Sequence, residues 1–362
     1  MNIAYLAACS SIHTIRWVKA MTKRGHRVHV FTLHPGSEDI DGGSVVDVLP
    51  FKAPAGYFLN AMELRRHLRK IRPDLLHVHN GSGYGTLGSL SGFQPRILSV
   101  WGSDVYEYPD LSPLHRWIVK QNLRRADRVC STSAVMAERT RSICPTVKNL
   151  RVTPFGIDLK RFKPCKKAKQ EGTITLGTVK TLEYTYGIDI LIRAFADASK
   201  SLKGSDPALS QRLRLLIVGG GADFDKLKKL AERLGIGHKA TFTGQVPHRL
   251  IPECLNQLDI YVAASRRESF GVAVLEASAC EKPVVVSDVG GLPEIVVNGK
   301  TGMIIPSENI EGFTEAIIQL IQNKQLRKVM GISGRRHVVQ HYSWRKSIEI
   351  MENIYHQTLT QN

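Results

Sequence analysis

The chain has 362 residues, of which 43% are hydrophobic and 23% are charged. That length suits two domains better than one core, and the composition is typical of a globular protein. No apolar run approaches the roughly 20 residues of a membrane-spanning helix. The six cysteines form no Cys-x-x-Cys pair, which argues against a zinc site or a disulfide framework. We therefore expect a reduced, cytoplasmic protein.

Positive charge is concentrated in the N-terminal half. The formal net charge is +18, and the first 165 residues hold 24 basic and 12 acidic side chains, a net +12. Basic proteins favour partners that carry phosphate, such as nucleic acid, anionic lipid or nucleotide ligands. Composition alone leaves these three classes open.

Buried strand patterns alternate with helical patterns along the chain, which is typical of α/β folds with parallel sheets. The apolar start of the chain lacks the basic segment of a signal peptide, so we interpret it as a first strand. The predicted helices of the first half include 14–24 and 62–71. The predicted strands are 3–7, 28–32, 75–78, 97–100, 128–131, 174–179, 213–218, 240–243, 260–263, 284–287 and 302–305.

The alternating pattern restarts after a polar segment, residues 162–172, which contains a proline. We interpret this segment as an interdomain linker. The sequence then predicts an N-terminal domain over 1–163 and a C-terminal domain over 172–343. Open parallel sheets bind ligands at the carboxyl ends of their strands. We therefore expect two tandem Rossmann-like domains that face a central cleft.

The segment from Glu268 to Glu276 places two carboxylates eight residues apart. If a helix begins near Gly271, Glu276 lies about one and a half turns inside it and Glu268 stays in the preceding loop. The N-terminus of that helix would offer free N–H groups and partial positive charge to a phosphate. Carboxylates on either side could hold the hydroxyls of a sugar and of a ribose. This arrangement suits a nucleotide-sugar.

Four ordered segments resemble the retaining glycosyltransferases of family 4, also called group 1, which have the GT-B fold. The resemblance is strong over residues 173–344 and weaker over the N-terminal half. It implies that the last helix, 344–362, crosses back onto the N-terminal domain. The segments are Val218–Gly221, Thr243–Pro247, Glu268–Glu276 and Gly290–Pro306.

The resemblance implies roles in a donor site. Glu276 would hold the ribose hydroxyls and Glu268 the hydroxyls of the donor sugar, whereas the alternative is that both are solvated surface residues. The base would be read by backbone groups, so the sequence does not name it; a UDP-sugar is expected first and a GDP-sugar second. The other residues implied around the diphosphate, nucleotide and base are Ser269, Phe270, Gly271, Val272, Gly219, Gly220 and Val246.

The phosphate-binding loop departs from the family pattern. The family uses an Arg and a Lys from the loop after the first strand of the second domain, but residues 177–187 contain only one cation, Lys180. Tyr186 stands where the family has its Lys. We expect Lys180 to contact the diphosphate and to act in catalysis with Glu268. A solvated loop lysine is the alternative.

The N-terminal half departs as well. The loop after the first strand has no glycine, and Ser10 or Ser11 could cap the next helix. His13 would touch the acceptor or be a structural histidine. Trp101 replaces the histidine of the family's His-Gly-x-Asp segment and could stack on a sugar. Asp104 of that segment would either orient the acceptor or cap the following turn.

The resemblance implies front-face attack with retention of configuration, in which the leaving phosphate helps to deprotonate the acceptor. That chemistry needs no catalytic base, no metal and no other cofactor, and no G-x-S-x-G nucleophile motif appears. The expected activity moves a hexose-type sugar to a glycan or lipid-linked acceptor, in cell-surface polysaccharide synthesis. A sugar-nucleotide epimerase or a phosphorylase of the same fold is the alternative enzyme.

Two basic amphipathic segments, 62–72 and 115–128, bear on the choice of partner. They would either rest on anionic lipid at the inner face of the cell membrane or pack on the sheet with a solvated basic face. A nucleic-acid-binding protein is a third class of function. The sequence contains no recognised nucleic-acid module, and its aromatic residues, 7% of the chain, are not clustered. We expect no nucleic-acid partner.

Overall fold

The computed structural model describes residues 1–36, 43–165 and 172–360. The chain forms two compact units, one of residues 1–154 with the segment that begins at Arg345, and one of Phe155–Trp344. Each unit contains a parallel sheet with helices, so the predicted fold of two Rossmann-like domains is confirmed. The predicted linker falls partly on residues 166–171, which lie outside the described residues.

The first unit contains a seven-stranded sheet of order β3-β2-β1-β4-β5-β6-β7, with every pair of neighbours parallel. The interior strand β1 is buried from Ile3 to Leu6, and Ile3 lies opposite Val28 on one side and Leu75 on the other. The strands are β1 Asn2–Leu6, β2 Arg27–Thr32, β3 Val45–Val48, β4 Leu75–His79, β5 Arg96–Val100, β6 Arg128–Ser131 and β7 Leu150–Val152.

Helices connect these strands and bury apolar faces against the sheet. In α3, Leu64 and Leu68 are buried four residues apart, as the helical repeat requires. Serine side chains accept an N–H at the start of α6 and of α7. The helices are α1 Ile12–Lys23, α2 Gly56–Leu59, α3 Ala61–Ile71, α4 Gly83–Ser91, α5 Ser103–Tyr106, α6 Pro113–Arg125 and α7 Ala134–Ile143.

The last helix of the chain, α16 (Trp344–Thr360), packs onto the first unit. The Tyr355 hydroxyl lies 2.7 Å from the hydroxyl of Tyr5 and 2.7 Å from Nδ1 of His77, all of them buried. At the surface, Arg24 donates to Glu352 at 2.7 Å. The predicted return of this helix to the N-terminal domain is confirmed.

The second unit contains a six-stranded parallel sheet of order β10-β9-β8-β11-β12-β13. Its strands are β8 Ile174–Val179, β9 Leu213–Val218, β10 Ala240–Phe242, β11 Ile260–Ala263, β12 Val284–Ser287 and β13 Gly302–Ile305. Its helices are α8 Ile188–Ser205, α9 Pro207–Gln211, α10 Phe224–Arg233, α11 Ile251–Gln257, α12 Val272–Ala279, α13 Leu292–Ile295, α14 Ile310–Gln322 and α15 Lys324–His341.

The sequence did not predict β3 and β7. Both are edge strands of the first sheet, and most of their residues are exposed. An edge strand of three or four residues shows no buried apolar run, so its pairing depends on the neighbouring strand rather than on its own pattern.

Candidate active site

Loops that follow three strands of the second unit, β8, β11 and β12, meet at Glu268. This residue follows β11, and its carbonyl oxygen accepts the Gly291 N–H at 3.1 Å from the loop after β12. Gly290 lies so close that an added Cβ would be 1.7 Å from the same oxygen. Only a glycine fits there, because a Cβ would clash with that oxygen and because Gly290 has a φ of +52°. The backbone of Glu268 is therefore fixed by the loop after β12.

Lys180 follows β8 and faces Glu268. Its backbone N–H donates to the Val218 carbonyl at 2.9 Å, and a Cβ on Gly219 would lie 1.9 Å from the Lys180 carbonyl oxygen. The Lys180 ammonium donates to Oε2 of Glu268 at 2.5 Å and lies 4.3 Å from the centre of the Tyr186 ring. The two paired side chains are only 19% and 11% exposed, so neither is a solvated loop residue.

The charge of this lysine is secured by its surroundings. Burial alone would lower the pKa of Lys180, but the adjacent Glu268 carboxylate and the Tyr261 hydroxyl raise that pKa above its ordinary value. An ammonium that stays charged at physiological pH can neutralise a phosphate.

Helix α12 begins directly after this ion pair. Gly271 precedes its first residue with a φ of +103°, where residues with a side chain are strained. The first N–H groups of a helix have no partner within it and attract anions. The Phe270 side chain is buried between Phe155 and Tyr342, so only its backbone is suited to contact a ligand. Ser269 and Val272 flank the same turn.

Glu276 lies inside α12 and is 5% exposed, so the alternative of a surface glutamate is wrong. Its Oε1 is 3.7 Å from Nε2 of His248. Arg161 donates to the His248 carbonyl, and the Phe162 ring packs against the His248 imidazole. Sequence reasoning missed His248, although it directly follows Val246 and Pro247.

The glycine turn after β9 and the loop after β10 lie side by side. The Gly219 N–H donates to the Gly244 carbonyl at 3.0 Å, and a Cβ on Gly220 would lie 3.4 Å from Cβ of Gln245. Val246 follows directly and is half-buried. The structure thus brings the donor-side residues predicted from the sequence together at the carboxyl edge of one sheet.

The residues predicted for the acceptor lie at the carboxyl edge of the first sheet. The rings of His13 and Trp101 are 5.8 Å apart. Ser11 occupies the position before α1, but its side chain accepts no N–H there, so the predicted serine cap is wrong. Trp101 also packs on His79 with ring centres 4.4 Å apart, and sequence reasoning did not single out His79.

Asp104 is buried and joins two strand ends. One carboxylate oxygen accepts the Gly81 N–H at 2.7 Å, and the other accepts those of Trp101 and Gly102 at 3.1 and 2.8 Å. Burial raises the pKa of Asp104, and these three N–H groups counter that rise. Asp104 therefore holds the loops after β4 and β5 in register, which favours positioning over direct contact with an acceptor.

Two features are absent from the described ranges, residues 1–36, 43–165 and 172–360. No three His, Cys, Asp or Glu side chains of those ranges are grouped as metal ligands are. No helix within them is long and apolar enough to cross a bilayer.

Comparison with known protein families identifies the class. Residues 160–337 match the model described as "Glycosyl transferases group 1", and residues 2–133 match "Glycosyl transferase 4-like". Together the two matches cover most of the chain. The chain belongs to the group 1 glycosyltransferases of family 4.

Individual relatives are more distant. A D-inositol 3-phosphate glycosyltransferase of Saccharomonospora viridis is 28% identical over 253 residues, which are 66% of this chain and 58% of that protein. A GDP-mannose-dependent alpha-(1-6)-phosphatidylinositol monomannoside mannosyltransferase of Mycolicibacterium smegmatis is 28% identical over 72% of this chain and 70% of that protein. The chain thus spans less than two thirds of the first of these relatives.

Solved structures confirm the GT-B fold. The sucrose-phosphate synthase of Thermosynechococcus elongatus superimposes with a TM-score of 0.85 over the full length of both chains, at 21% identity. The Anabaena protein HepE, solved in complex with UDP and glucose, superimposes with a TM-score of 0.83 over 99% of this chain and all of that one, at 18% identity.

Proposed function

We propose that this glycosyltransferase moves a hexose-type sugar from a nucleoside-diphosphate sugar to a glycan or lipid-linked acceptor, in cell-surface polysaccharide synthesis. The observation that carries the proposal is the Lys180–Glu268 pair directly before α12, with the buried Glu276 inside that helix. One cation and a helix start suit a diphosphate. Two carboxylates suit the hydroxyls of a sugar and a ribose, because an ionised carboxylate accepts from both hydroxyls of a diol.

The reaction breaks the bond between the anomeric carbon and the β-phosphate oxygen. Negative charge then grows on the departing diphosphate, where Lys180 and the first N–H groups of α12 stabilise it. The acceptor hydroxyl forms the new bond on the same face of the sugar, and its proton passes to the departing phosphate oxygen. Configuration is retained, and no metal or separate base takes part in this scheme.

The donor is proposed to be a UDP-sugar, with a GDP-sugar as the second choice. The similarly folded HepE was solved with UDP and glucose, and the mycobacterial relative is named for GDP-mannose. A thermal-shift panel of UDP-, GDP- and ADP-sugars would decide, because a ligand that binds only the folded protein raises its apparent stability.

Direct assays test the activity itself. Purified wild type should hydrolyse or transfer the sugar of the donor found in the panel, and Glu276→Ala and Lys180→Ala should each lose most of that activity. Lys226→Ala is the matched control, since Lys226 is 71% exposed. Unchanged activity in both site variants would exclude the assigned site. Mass spectrometry of the product separates transfer from epimerisation and phosphorolysis, and an equal rate with EDTA or Mg²⁺ is expected.

We also propose that the first unit rests on anionic lipid at the cytoplasmic face of a membrane. Helices α3, α4 and α6 pack side by side. Phe58 in α2, Met62 at the start of α3, and Leu114 and Trp117 at the start of α6 are 56–71% exposed. Each helix ends just before a strand of the parallel sheet, so both starts lie at the sheet's carboxyl edge.

Charge complements this apolar rim. The exposed cations further along the two helices are Arg66, Arg69, Lys70, Lys120, Arg124 and Arg125, and α6 contains no acidic residue. Apolar side chains that enter a bilayer beside cations that face its headgroups are typical of interfacial helices. Sedimentation with vesicles of phosphatidylglycerol at low salt should bring down the wild type, and the double variant Met62→Ser, Trp117→Ser should bind several-fold less. Equal binding of both, or binding to DNA alone, would contradict the proposal.

A further inference from the structure

The Lys180 ammonium is held by two side chains of different chemistry. Glu268 accepts from it at 2.5 Å, and the face of Tyr186 lies 4.3 Å away. A cation within about 6 Å of an aromatic face is attracted to it without giving up its charge. The carboxylate instead neutralises the charge. Lys180 thus has one partner that competes with an incoming anion and one that does not.

The loop that carries Tyr186 is tied to the loop that carries Glu268. The Thr185 carbonyl accepts the N–H groups of Arg266 and Arg267 at 2.8 and 3.2 Å. The Arg266 guanidinium lies 3.9 Å from the centre of the Tyr184 ring and forms two hydrogen bonds to Asp189, at 2.8 and 2.9 Å. These contacts connect the loop of Tyr186 to the loop of Glu268 at several points.

Gly187 provides a further contact between these two loops. A Cβ on Gly187 would lie 1.8 Å from the Ala264 carbonyl oxygen, so the loop that follows Tyr186 lies directly against the end of β11. The Tyr186 ring therefore keeps its place when Lys180 changes partner. A flexible lysine side chain would otherwise lose its rotamer freedom when it binds a ligand.

We propose that Tyr186 is a positioning residue for Lys180, and that Glu268 competes with the donor diphosphate for this lysine. The inference rests on the proposed function of the same site. When a diphosphate binds, the Lys180 ammonium exchanges the Glu268 carboxylate for a phosphate oxygen. Its contact with the Tyr186 ring is kept during this exchange. Glu268 is then released next to the position of the donor sugar.

This exchange of partners gives the site different affinities for the donor and for the product. An intact nucleoside-diphosphate sugar brings hydroxyls that donate to the released Glu268 carboxylate. A nucleoside diphosphate takes Lys180 but leaves Glu268, which is 11% exposed, without its cation. A buried charge that loses its partner is destabilised. The site should therefore bind the donor more tightly than the product, which favours product release.

The experiment measures dissociation constants by calorimetry for UDP and UDP-glucose, or for GDP and GDP-mannose, whichever pair the wild type binds. Glu268→Gln removes the competing charge. It should bind the nucleoside diphosphate about 5- to 10-fold more tightly than the wild type, and the sugar donor more weakly. The preference for donor over product should thus decrease at least tenfold.

Variants of Tyr186 test the positioning role. Tyr186→Phe keeps the aromatic face and should bind the diphosphate within about twofold of the wild type. Tyr186→Leu removes the face and should bind it about 5- to 20-fold more weakly. Circular dichroism and the melting temperature confirm that each variant is folded, and recovery by Phe excludes an effect of the hydroxyl.

The outcomes separate two failures. Wild-type protein that binds neither diphosphate would overturn this inference together with the proposed donor site. Wild-type binding with equal affinities in Tyr186→Leu and Tyr186→Phe would overturn the role of Tyr186 alone. Weaker binding of the nucleoside diphosphate by Glu268→Gln would overturn the competition, and the proposed function would still stand.

Discussion

Nε2 of His248 lies 3.7 Å from Oε1 of Glu276, and the glutamate side chain is 7% exposed. A buried carboxylate is stable only when polar groups surround it. His248, from the segment after β10, therefore supports the residue that we assign to the ribose.

This relationship predicts how the ribose is held. Glu276→Gln removes the charge that accepts from two hydroxyls, and the dissociation constant of the nucleoside diphosphate should rise about 10- to 100-fold. His248→Gln keeps the carboxylate but removes the ring beside it, and the rise should be smaller, about 2- to 5-fold. Calorimetry measures both.

A modified ligand serves as the control for this prediction. The 2′,3′-dideoxynucleoside diphosphate has no hydroxyls for Glu276, so wild type and Glu276→Gln should bind it with the same affinity. A full loss of affinity with the dideoxy ligand as well would show that Glu276 acts on the fold of α12 and not on the ribose.

A second prediction concerns the loop that fixes Glu268. Gly290→Ala should abolish donor binding, because the new Cβ would lie 1.7 Å from the Glu268 carbonyl oxygen and must displace it. Gly299→Ala is a matched control. Gly299 also has a positive φ, +74°, but no atom lies within 4 Å of its would-be Cβ.

Both variants carry similar backbone strain, about 1 kcal/mol, from an alanine at positive φ. The melting temperature of Gly299→Ala measures that strain alone, and the clash with the Glu268 carbonyl adds to it in Gly290→Ala. Donor affinity should separate them, with Gly299→Ala near wild type and Gly290→Ala without measurable binding. Equal affinities would mean that the Glu268 loop is not set by Gly290.

The sequence predicted which loops of the second unit meet, because the signals of those loops are local. The turns before α12 and after β9 require glycine for their backbone geometry. The glycines that meet this need, Gly271 and the triple glycine, are visible in the sequence itself. The two edge strands and the alternate partners of Lys180 were not predicted. Tyr186 appeared only as a missing cation, since no pattern shows that its ring lies over the ammonium of a residue six positions earlier.

The contacts of Trp101 and Asp104 in the first unit were not predicted, for a related reason. Trp101 was seen as a replaced histidine, but its neighbour His79 comes from an adjacent strand. Asp104 was left between two roles, and only the three N–H groups around it favour positioning. Contacts between strands depend on sheet order, which the sequence of either strand does not state.

A third prediction concerns the buried histidines of the first sheet. Burial lowers the pKa of His77 to about 3, from an ordinary value of 6.5, and burial also holds the pKa of His79 well below that value. The unfolded chain therefore binds more protons than the folded protein below about pH 6.5. Stability is complete above that pH and decreases as the pH falls towards 3.

The decrease should approach about 1.4 kcal/mol per pH unit for each of the two histidines. His77→Gln keeps a polar group between Tyr355 and Ser99, which the imidazole contacts at 2.7 and 2.8 Å. This variant should show about half of the wild-type slope. Urea unfolding between pH 7.5 and pH 5 measures the slope through tryptophan fluorescence, and three of the four tryptophans lie in the first unit. An unchanged slope would contradict the prediction.

The last prediction concerns the attachment of α16. Glu352 accepts from Arg24 at 2.7 Å and lies 3.0 Å from His26, with its side chain 13% exposed. The Arg24 hydrogen bonds lower the pKa of Glu352, so its contribution to stability is present above the ordinary pKa of 4.5 and is lost as the pH falls through the lowered value. Glu352→Gln should weaken the packing of α16 on the first unit at pH 7, by the modest amount typical of an ion pair whose arginine is half exposed.

Hydrogen exchange of the α16 amides measures this locally. Protection factors in Glu352→Gln should decrease about 3- to 5-fold at pH 7, and the difference from wild type should shrink near pH 3. Glu349→Gln is the matched control on the same helix. Glu349 is 43% exposed and pairs only with Arg345 at 3.2 Å among the ion pairs of the described chain, so its loss should change protection less than about threefold. Equal effects of the two variants would mean that Glu352 acts as helix surface charge and not as the anchor of α16.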